Sequence, residues 1–279
     1  MLDLRLPILD IRSTEAFERL HLEGSVNIPW ALLPERLNLL PPKGTTLQLI
    51  FEKNNQEAVT FLADKGHPIS AHFSWEEIAK FCEKMPEFPV LLPKLVSGKT
   101  QPTLWQPNPL LKQCLQEVLP HQRPLKILDL GCGGGREAVY AALQGHQVSA
   151  IEHKPQVIQR AKALAEHYGV KVDFRCCDLT QTACLPKEPF DLIMGFRFLE
   201  RSLFPRLDAL LKPHGWLMWQ TFCEGVEAFG SPKNPKFILK KGELSQQFPS
   251  YKIVIDRIDK IEDGRPVISW LAQKTEETP

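Results

Sequence analysis

The sequence has no long apolar segment and no excess of charge of either sign. No stretch approaches the roughly 18 consecutive apolar residues that a membrane-spanning helix requires. Residues 1–7 lack the basic segment and apolar core of a secretion signal. The formal net charge is +1, so no global field attracts nucleic acid or an anionic membrane. These absences predict a cytoplasmic protein that binds neither DNA nor membranes.

The cysteines do not form a metal-binding or redox motif. There are seven, no C-x-x-C occurs among them, and only Cys176 and Cys177 are adjacent. We therefore expect reduced cysteines and no metal site. The length of 279 residues leaves room for two domains, and 43% hydrophobic with 24% charged residues is ordinary for a globular protein.

A short apolar strand runs directly into a glycine loop near the middle of the chain. Residues 127–135 read Ile-Leu-Asp-Leu-Gly-Cys-Gly-Gly-Gly, with Asp129 on the strand and glycines at 131, 133 and 135. Roughly 20 residues past the first glycine, where a ribose-binding acid is expected, a second strand ends in Glu152. Glycine lets backbone approach a ligand closely, and a carboxylate accepts hydrogen bonds from ribose hydroxyls. This combination predicts a nucleoside site.

The spacing of the glycines separates two kinds of nucleoside site. The dinucleotide pattern G-x-G-x-x-G, counted from Gly131, requires glycine or alanine where Arg136 stands. A shifted register of Gly133, Gly135 and Ala138 satisfies the pattern but starts two residues after the strand ends. A nicotinamide-type site therefore stays open as the second interpretation.

Strands and helices alternate from Lys126 onward, which predicts a parallel sheet covered by helices. The last two predicted strands, residues 251–258 and 266–273, are joined by a turn containing Asp263 and Gly264. Such a short connection forces an antiparallel pair. The sequence therefore predicts an α/β fold with a parallel sheet and an antiparallel last strand.

The D-x-G-x-G-x-G loop and this strand order resemble class I S-adenosylmethionine-dependent methyltransferases, over about residues 110–274. The resemblance implies a seven-stranded Rossmann-like sheet and S-adenosylmethionine as cofactor. It also implies that Glu152 holds the ribose, that His153 flanks the adenine, and that Asp178 and Leu179 contact the adenine. For Asp178, capping of the next turn is the alternative, and for His153 the alternative is a solvent-facing position at the end of the strand. The full set of expected cofactor-binding residues is Asp129, Gly131, Cys132, Gly133, Gly135, Glu152, His153, Asp178, Leu179 and Phe196.

The segment after the fourth strand bears on the methyl acceptor. Family members that methylate amino or amide nitrogens often carry Asn/Asp-Pro-Pro-Tyr/Phe there, whereas this chain has Met-Gly-Phe-Arg-Phe-Leu-Glu-Arg at 194–201. Small-molecule, thiol, chalcogen and RNA acceptors remain open, and no catalytic residue is assigned. Arg197 and Arg201 are candidates for an anionic acceptor, although Arg201 has Glu200 or Asp208 as alternative partners. Residues 234–244 resemble a local motif of tellurite-resistance-type methyltransferases.

The first third of the chain resembles a rhodanese domain that has lost its nucleophile. The similarity lies in Leu-Asp-Ile-Arg at 9–12, Phe17, and His-Leu-Glu-Gly-Ser-Val-Asn-Ile-Pro at 21–29, followed by a strand at 47–51 and a helix from about Gln56. A working rhodanese has a cysteine after that strand, where Glu52 and Lys53 stand here, and Cys82 lies later. We expect an inactive rhodanese-like domain at 1–92, a linker at 93–109 and a methyltransferase domain at 110–279.

Three functions compete on this evidence. The first is a methyltransferase whose rhodanese-like domain docks a protein partner or presents substrate. The second is a non-enzymatic S-adenosylmethionine-binding regulator or scaffold. The third, a sulfurtransferase, lacks the required cysteine.

Overall fold

The computed structural model describes residues 2–53, 56–83, 94–119 and 124–275. The chain divides into two compact units, Met1–Gln106 and Pro107–Pro279. Each unit is built around its own β-sheet. Within the described ranges, no helix combines the length and the apolar character needed to cross a membrane.

The first unit contains a four-stranded parallel sheet and a separate two-stranded antiparallel one. Its elements are β1 (Ile8–Asp10), α1 (Thr14–Arg19), β2 (His21–Leu22), β3 (Ser25–Asn27), β4 (Leu47–Phe51), α2 (Gln56–Asp64), β5 (Ile69–Ser74), α3 (Trp75–Glu83) and β6 (Leu95–Val96). The parallel sheet has the order β3-β1-β4-β5. Every residue of β4 is buried, as expected for a parallel strand covered on both faces. The predicted strand 47–51 and the helix from Gln56 are both present.

The boundary between the two compact units falls within the predicted linker, residues 93–109. Residues 94–106 belong to the first unit because β6 pairs with β2, and because Gln101 accepts a 2.7 Å hydrogen bond from the Asn27 N–H. The Gly98 N–H also donates to the Glu18 carbonyl at 2.7 Å. The predicted domain end at residue 92 and linker start at 93 fall outside the described residues. The physical boundary is between Gln106 and Pro107.

The second unit contains a seven-stranded, mostly parallel sheet. Its elements are α4 (Pro109–Gln113), β7 (Lys126–Leu130), α5 (Arg136–Leu143), β8 (Gln147–Glu152), α6 (Pro155–His167), β9 (Val172–Cys176), β10 (Phe190–Phe196), α7 (Phe204–Leu207), β11 (Leu211–Phe222), α8 (Glu243–Gln247), β12 (Tyr251–Lys260) and β13 (Pro266–Lys274). The order is β12-β13-β11-β10-β7-β8-β9, and β13 is antiparallel to both of its neighbours. The predicted alternation of strands and helices is therefore present.

Strand β11 starts at Leu211, and its register with β10 shifts between Phe190 and Leu192. The leucine-rich segment before it forms one short α-helix, α7, flanked by 3-10 turns.

One expectation about cysteine is wrong. Cys177 and Cys184 form a disulfide, with their Cα atoms 5.7 Å apart. The chain after β9 turns back through a 3-10 segment, Thr182–Cys184, and this turn brings the two thiols together. Their spacing in the sequence carries no signal of the pairing.

A buried ion pair holds the first unit together at the end of β1. The Arg12 guanidinium donates to both carboxylate oxygens of Asp10, the shortest bond being 2.7 Å, and also to the Leu20 carbonyl at 3.0 Å. The side chains are 2% and 0% exposed, and the Arg12 guanidinium lies 3.7 Å from the centre of the Trp75 ring. Burial raises the pKa of Asp10, while the arginine opposes that shift.

Removing one partner of this pair should destabilise the first unit. Arg12→Ala leaves the Asp10 carboxylate buried without its counter-ion, which costs about 3–5 kcal/mol. Thermal or urea unfolding should therefore show a less stable protein. Arg5→Ala is the matched control, because the Arg5–Asp3 pair is exposed and should contribute little. Equal effects of the two substitutions would contradict this account of the buried pair.

Candidate functional site

The predicted nucleoside-binding residues come together at one edge of the second sheet. Strands β7, β8 and β10 are parallel, so their carboxyl ends lie at the same edge. The glycine loop, residues 131–135, connects the end of β7 to the start of α5. Crevices at this edge of open α/β sheets are where such folds bind ligands.

The three glycines of the loop have different physical roles. All have positive φ, from 53° at Gly133 to 79° at Gly135. A Cβ on Gly131 would overlap the ring of Phe198, and one on Gly135 would lie 2.7 Å from the Cβ of Ala161. At Gly133 an added Cβ meets nothing within 4 Å. Gly131 and Gly135 are therefore required by packing, and Gly133 faces open space that a ligand can use.

Glu152 ties the end of β8 to this loop. Its Oε2 accepts a 3.2 Å hydrogen bond from the Gly133 N–H, and its Oε1 accepts one of 3.0 Å from the Lys154 N–H. The residue is 7% exposed. The His153 Nδ1 lies 3.0 Å from Oε1, while 61% of that histidine side chain is exposed. The predicted acid therefore stands directly beside the open part of the loop.

Asp129 is a buried carboxyl beneath the loop. It is 1% exposed, and its Oδ2 has no hydrogen-bond partner in the described part of the chain. Burial raises its pKa well above the usual value, and the carboxylates of Glu137 and Glu152 add to that rise. Because the folded-state pKa is raised, the contribution of this carboxyl to stability is greatest at acid pH and is lost as the pH rises. A cation bound beside Asp129 would offset this unfavourable charge.

Three further predicted residues line or support the same region. Cys132 is buried, its thiol points toward the Gly133 carbonyl at 3.8 Å, and burial raises its pKa, so it is a packed thiol and not a thiolate. Leu179 is buried in the hydrophobic core of this unit. Phe196 ends β10 and is half-buried.

Asp178 caps the turn after β9. Its Oδ1 accepts hydrogen bonds from the Thr180 N–H at 2.9 Å and from the Thr180 hydroxyl at 2.8 Å. These bonds lower the pKa of Asp178, so the carboxyl is ionised at neutral pH. The capping alternative is therefore realised. Its role toward the adenine stays a prediction.

The two arginine candidates differ. All N–H donors of the Arg201 guanidinium are used: they reach both oxygens of Glu243 and the carbonyls of Pro235, Lys236 and Ile238. The partner of Arg201 is therefore Glu243 and not Glu200 or Asp208, and its role toward an anionic acceptor stays a prediction. Arg197 is exposed at the carboxyl end of β10, has a φ of 52°, and donates its N–H to the Gln220 carbonyl at 2.7 Å. It remains the candidate for an anionic acceptor.

Four polar side chains form a row of hydrogen bonds that the sequence did not indicate. The Asn108 carboxamide donates to Gln220 at 2.6 Å, Gln220 donates to the Ser269 hydroxyl at 2.7 Å, and Ser269 donates to Asp259 at 2.6 Å. Burial raises the pKa of the Glu137 carboxyl, and the Asn108 backbone opposes that rise. Asn before Pro109 signals a helix start, but residues this far apart in sequence give no local sign of their contact.

A comparison with protein families decides the class of this site. The family model described as "Methyltransferase domain" matches residues 127–215, which contain the glycine loop and Glu152. This matched segment of the second unit is a class I methyltransferase domain. Its α/β Rossmann-like sheet is the fold that the sequence predicts. Its cofactor is S-adenosylmethionine.

Relatives of the chain agree with this class. A ubiquinone biosynthesis O-methyltransferase from Chromobacterium violaceum is 31% identical over 37% of this chain and 47% of that protein. The chain thus spans about half the length of these methyltransferase relatives. An uncharacterized Schizosaccharomyces pombe protein, UNK4.09, is 27% identical over 96% of the chain and 93% of its own length.

Solved structures share the fold of the methyltransferase domain. A Methanosarcina mazei protein titled as a SAM-dependent methyltransferase aligns with a TM-score of 0.51 and 18% identity, over 62% of this chain and 100% of that one. TehB from Haemophilus influenzae, at a TM-score of 0.49 and 20% identity over 60% of this chain and 61% of its own, is too distant to support more than a likeness.

The residues present fit S-adenosylmethionine. The open space over Gly133 admits a ligand, and the Glu152 carboxylate beside it suits a ribose diol. The buried Asp129 oxygen without a partner suits a cationic group of the cofactor. For a metal ion, by contrast, the described residues hold no cluster of potential ligands.

Filling the open space at Gly133 should remove cofactor binding. Gly133→Leu places a side chain where the cofactor needs room, and the left-handed backbone there adds about 1–2 kcal/mol of strain. Calorimetry with S-adenosylhomocysteine should detect no binding to a folded protein. Gly135→Ala is the comparison, because its Cβ would meet Ala161 at 2.7 Å and should chiefly lower stability. Retained binding in the leucine variant would contradict the proposed position of the cofactor.

Glu152→Ala should weaken cofactor binding at least tenfold. Each charge-assisted hydrogen bond to the ribose contributes about 1.5–3 kcal/mol at most. Isothermal titration with S-adenosylhomocysteine gives the dissociation constant. Lys154→Ala is a control, because its backbone N–H still reaches residue 152 but its side chain has no predicted role. An unchanged constant in Glu152→Ala would mean that this carboxylate does not hold the ribose.

Proposed function

We propose that the chain is an S-adenosylmethionine-dependent methyltransferase acting on a small-molecule, thiol, chalcogen or RNA acceptor. The observation that carries this proposal is the Glu152 carboxylate bonded to the open Gly133 within a segment that matches the methyltransferase family. The family model matches residues 127–215 and does not identify the methyl acceptor or the exact enzyme class. We therefore propose both.

The cofactor supplies an electrophilic methyl group on a positively charged sulfur, so the protein has mainly to orient the partners and exclude water. Apolar side chains at the sheet edge suit that task. Phe198 packs over Gly131, and Trp219 donates its indole N–H to the Phe198 carbonyl at 2.8 Å while itself being fully buried. These contacts fix the wall beside the loop. No acid or base is assigned to the methyl transfer.

Arg197 is the residue that we assign to an acceptor group. It is exposed, and its backbone is held in the left-handed region by its bond to Gln220. Such strain in a non-glycine residue is characteristic of functional positions. A guanidinium at that edge suits an acceptor that carries a carboxylate or phosphate. The O-methyltransferase relatives make small-molecule hydroxyl groups worth including in any acceptor screen.

Methyl transfer separates this proposal from a non-enzymatic S-adenosylmethionine-binding protein. Purified protein incubated with methyl-labelled cofactor and fractionated cell extract should label one fraction, and mass spectrometry of copurifying molecules should narrow its identity. Arg197→Ala should reduce transfer to an anionic acceptor while leaving S-adenosylhomocysteine affinity unchanged. Gly133→Leu is the negative control. Tight cofactor binding with no labelled fraction at all would favour the regulator or scaffold.

We also propose that the first unit is a rhodanese-like domain without sulfur transfer, which docks a partner or presents substrate. The parallel sheet with β4 followed by α2 supports the assignment. Glu52 and Lys53 are exposed after β4, where the nucleophile would stand. Cys82 lies on α3, and burial raises the pKa of its thiol, which disfavours the thiolate.

The purified protein should transfer no sulfur from thiosulfate to cyanide. The persulfide must form on a cysteine thiolate, and no cysteine precedes Cys82. Thiocyanate formation is measured against a boiled control. Production that is lost in Cys82→Ser would refute both the inactive assignment and the placement of the loop after β4.

A further inference from the structure

The disulfide of the second unit closes a loop at the cofactor edge of the sheet. Cys177 directly follows β9, and Cys184 ends the 3-10 turn seven residues later. The enclosed segment contains Asp178 and Leu179, the residues expected to meet the adenine. The bond therefore connects the two ends of one predicted cofactor-binding loop.

The same loop is attached to the ribose-binding strand. The Cys177 N–H donates to the Glu152 carbonyl at 3.1 Å, and Cys176 pairs with Glu152 in the β8–β9 register. Inside the loop, the Gln181 N–H donates to the Asp178 carbonyl at 2.9 Å, and the Cys184 N–H donates to the Gln181 carbonyl at 3.1 Å. Any change in the Cys177–Cys184 bond thus acts on backbone that contacts Glu152.

The two sulfur atoms of the disulfide differ in their accessibility to solvent. Cys177 is half-buried and Cys184 is 4% exposed, so a reagent reaches the Cys177 side first. Cys176 beside them is exposed, and its thiol points to the His153 carbonyl at 3.7 Å. A disulfide with one sulfur accessible to solvent is open to thiol–disulfide exchange, and exposed disulfides are the labile, regulatory ones.

We propose that Cys177 and Cys184 form a reversible redox pair, and that their disulfide raises the affinity of the site for S-adenosylmethionine. The proposal rests on the proposed contact of Asp178 and Leu179 with the adenine. It adds a regulated step to the cofactor site that the methyltransferase assignment does not require.

The chemistry is a two-electron exchange with a dithiol or with a low-molecular-weight thiol and its disulfide. In reduction, a reductant thiolate attacks the Cys177 sulfur, the S–S bond breaks, and the Cys184 thiolate leaves and takes up a proton. A second reductant thiol then displaces Cys177, which also becomes a thiol, and the reductant departs as its own disulfide. Oxidation by a low-molecular-weight disulfide reverses these steps.

The effect on affinity follows from the entropy of ordering the loop. With the disulfide formed, the turn containing Asp178 is already constrained, so binding orders little more of it. In the reduced protein the loop has more conformations, and the cofactor must select one of them. We expect the reduced form to bind about three- to tenfold more weakly.

Calorimetry of the full chain with S-adenosylhomocysteine tests this inference. The protein is titrated after treatment with oxidised glutathione and again after dithiothreitol, and denatured samples of each are alkylated and mapped by mass spectrometry. In the oxidised sample, alkylation should reach the five cysteines outside the disulfide, 82, 114, 132, 176 and 223, and in the reduced sample it should reach all seven. Binding should weaken on reduction and recover on reoxidation.

Two variants test whether the change in affinity comes from the Cys177–Cys184 bond. The double variant Cys177→Ser/Cys184→Ser should bind S-adenosylhomocysteine with the affinity of the reduced protein. Neither the oxidant nor the reductant should change that affinity. Cys176→Ser, which removes the neighbouring exposed thiol, should keep the full response. If the double variant does not fold, reduced and reoxidised wild type still give the comparison.

The possible results distinguish a failure of the redox proposal from a failure of the proposed cofactor site. Equal affinity in both states, with the thiol count changed, would overturn the redox proposal and leave the cofactor site intact. Alkylation of all cysteines even after the oxidant would also overturn it. Absence of S-adenosylhomocysteine binding in both states would instead contradict the proposed function.

Discussion

The hydrogen bond between the Gly133 N–H and the Glu152 carboxylate is the contact on which the site depends. It spans 3.2 Å and joins the loop after β7 to the end of β8. Because the two strands are parallel neighbours, their ends reach the same edge, and one carboxylate can hold the loop and still face a ribose. The proposed positions of the cofactor ribose and of the adenine-binding loop both depend on this junction.

The residues around that junction favour binding at some expense of stability. Asp129 is buried with an oxygen that no described residue satisfies, and its pKa is raised by burial and by two further carboxylates. Without a bound cofactor, an apolar residue at position 129 would destabilise the fold less than a buried carboxyl does. A cationic cofactor changes this balance, because the same carboxyl then gains a partner. Arg197, with its left-handed backbone, is a second locally unfavourable residue at the same edge.

The sequence could predict what depends on local pattern. The glycine loop, the acid at the end of the second strand, the alternating elements and the antiparallel hairpin all carry their signal within a few residues. Contacts between distant segments had no such signal. The pairing of Arg201 with Glu243, the polar row from Asn108 to Asp259 and the Cys177–Cys184 bond each needed the folded chain. The pairing of β6 with β2 likewise joins segments that are distant in the sequence.

The most direct test is to compare the binding of three nucleoside ligands to the protein. Isothermal titration of the full chain with S-adenosylmethionine, S-adenosylhomocysteine and NAD distinguishes the methyltransferase site from the dinucleotide alternative left open by Gly133, Gly135 and Ala138. We expect saturable binding of the two S-adenosyl compounds and no binding of NAD. Tight NAD binding with no response to either S-adenosyl compound would contradict it.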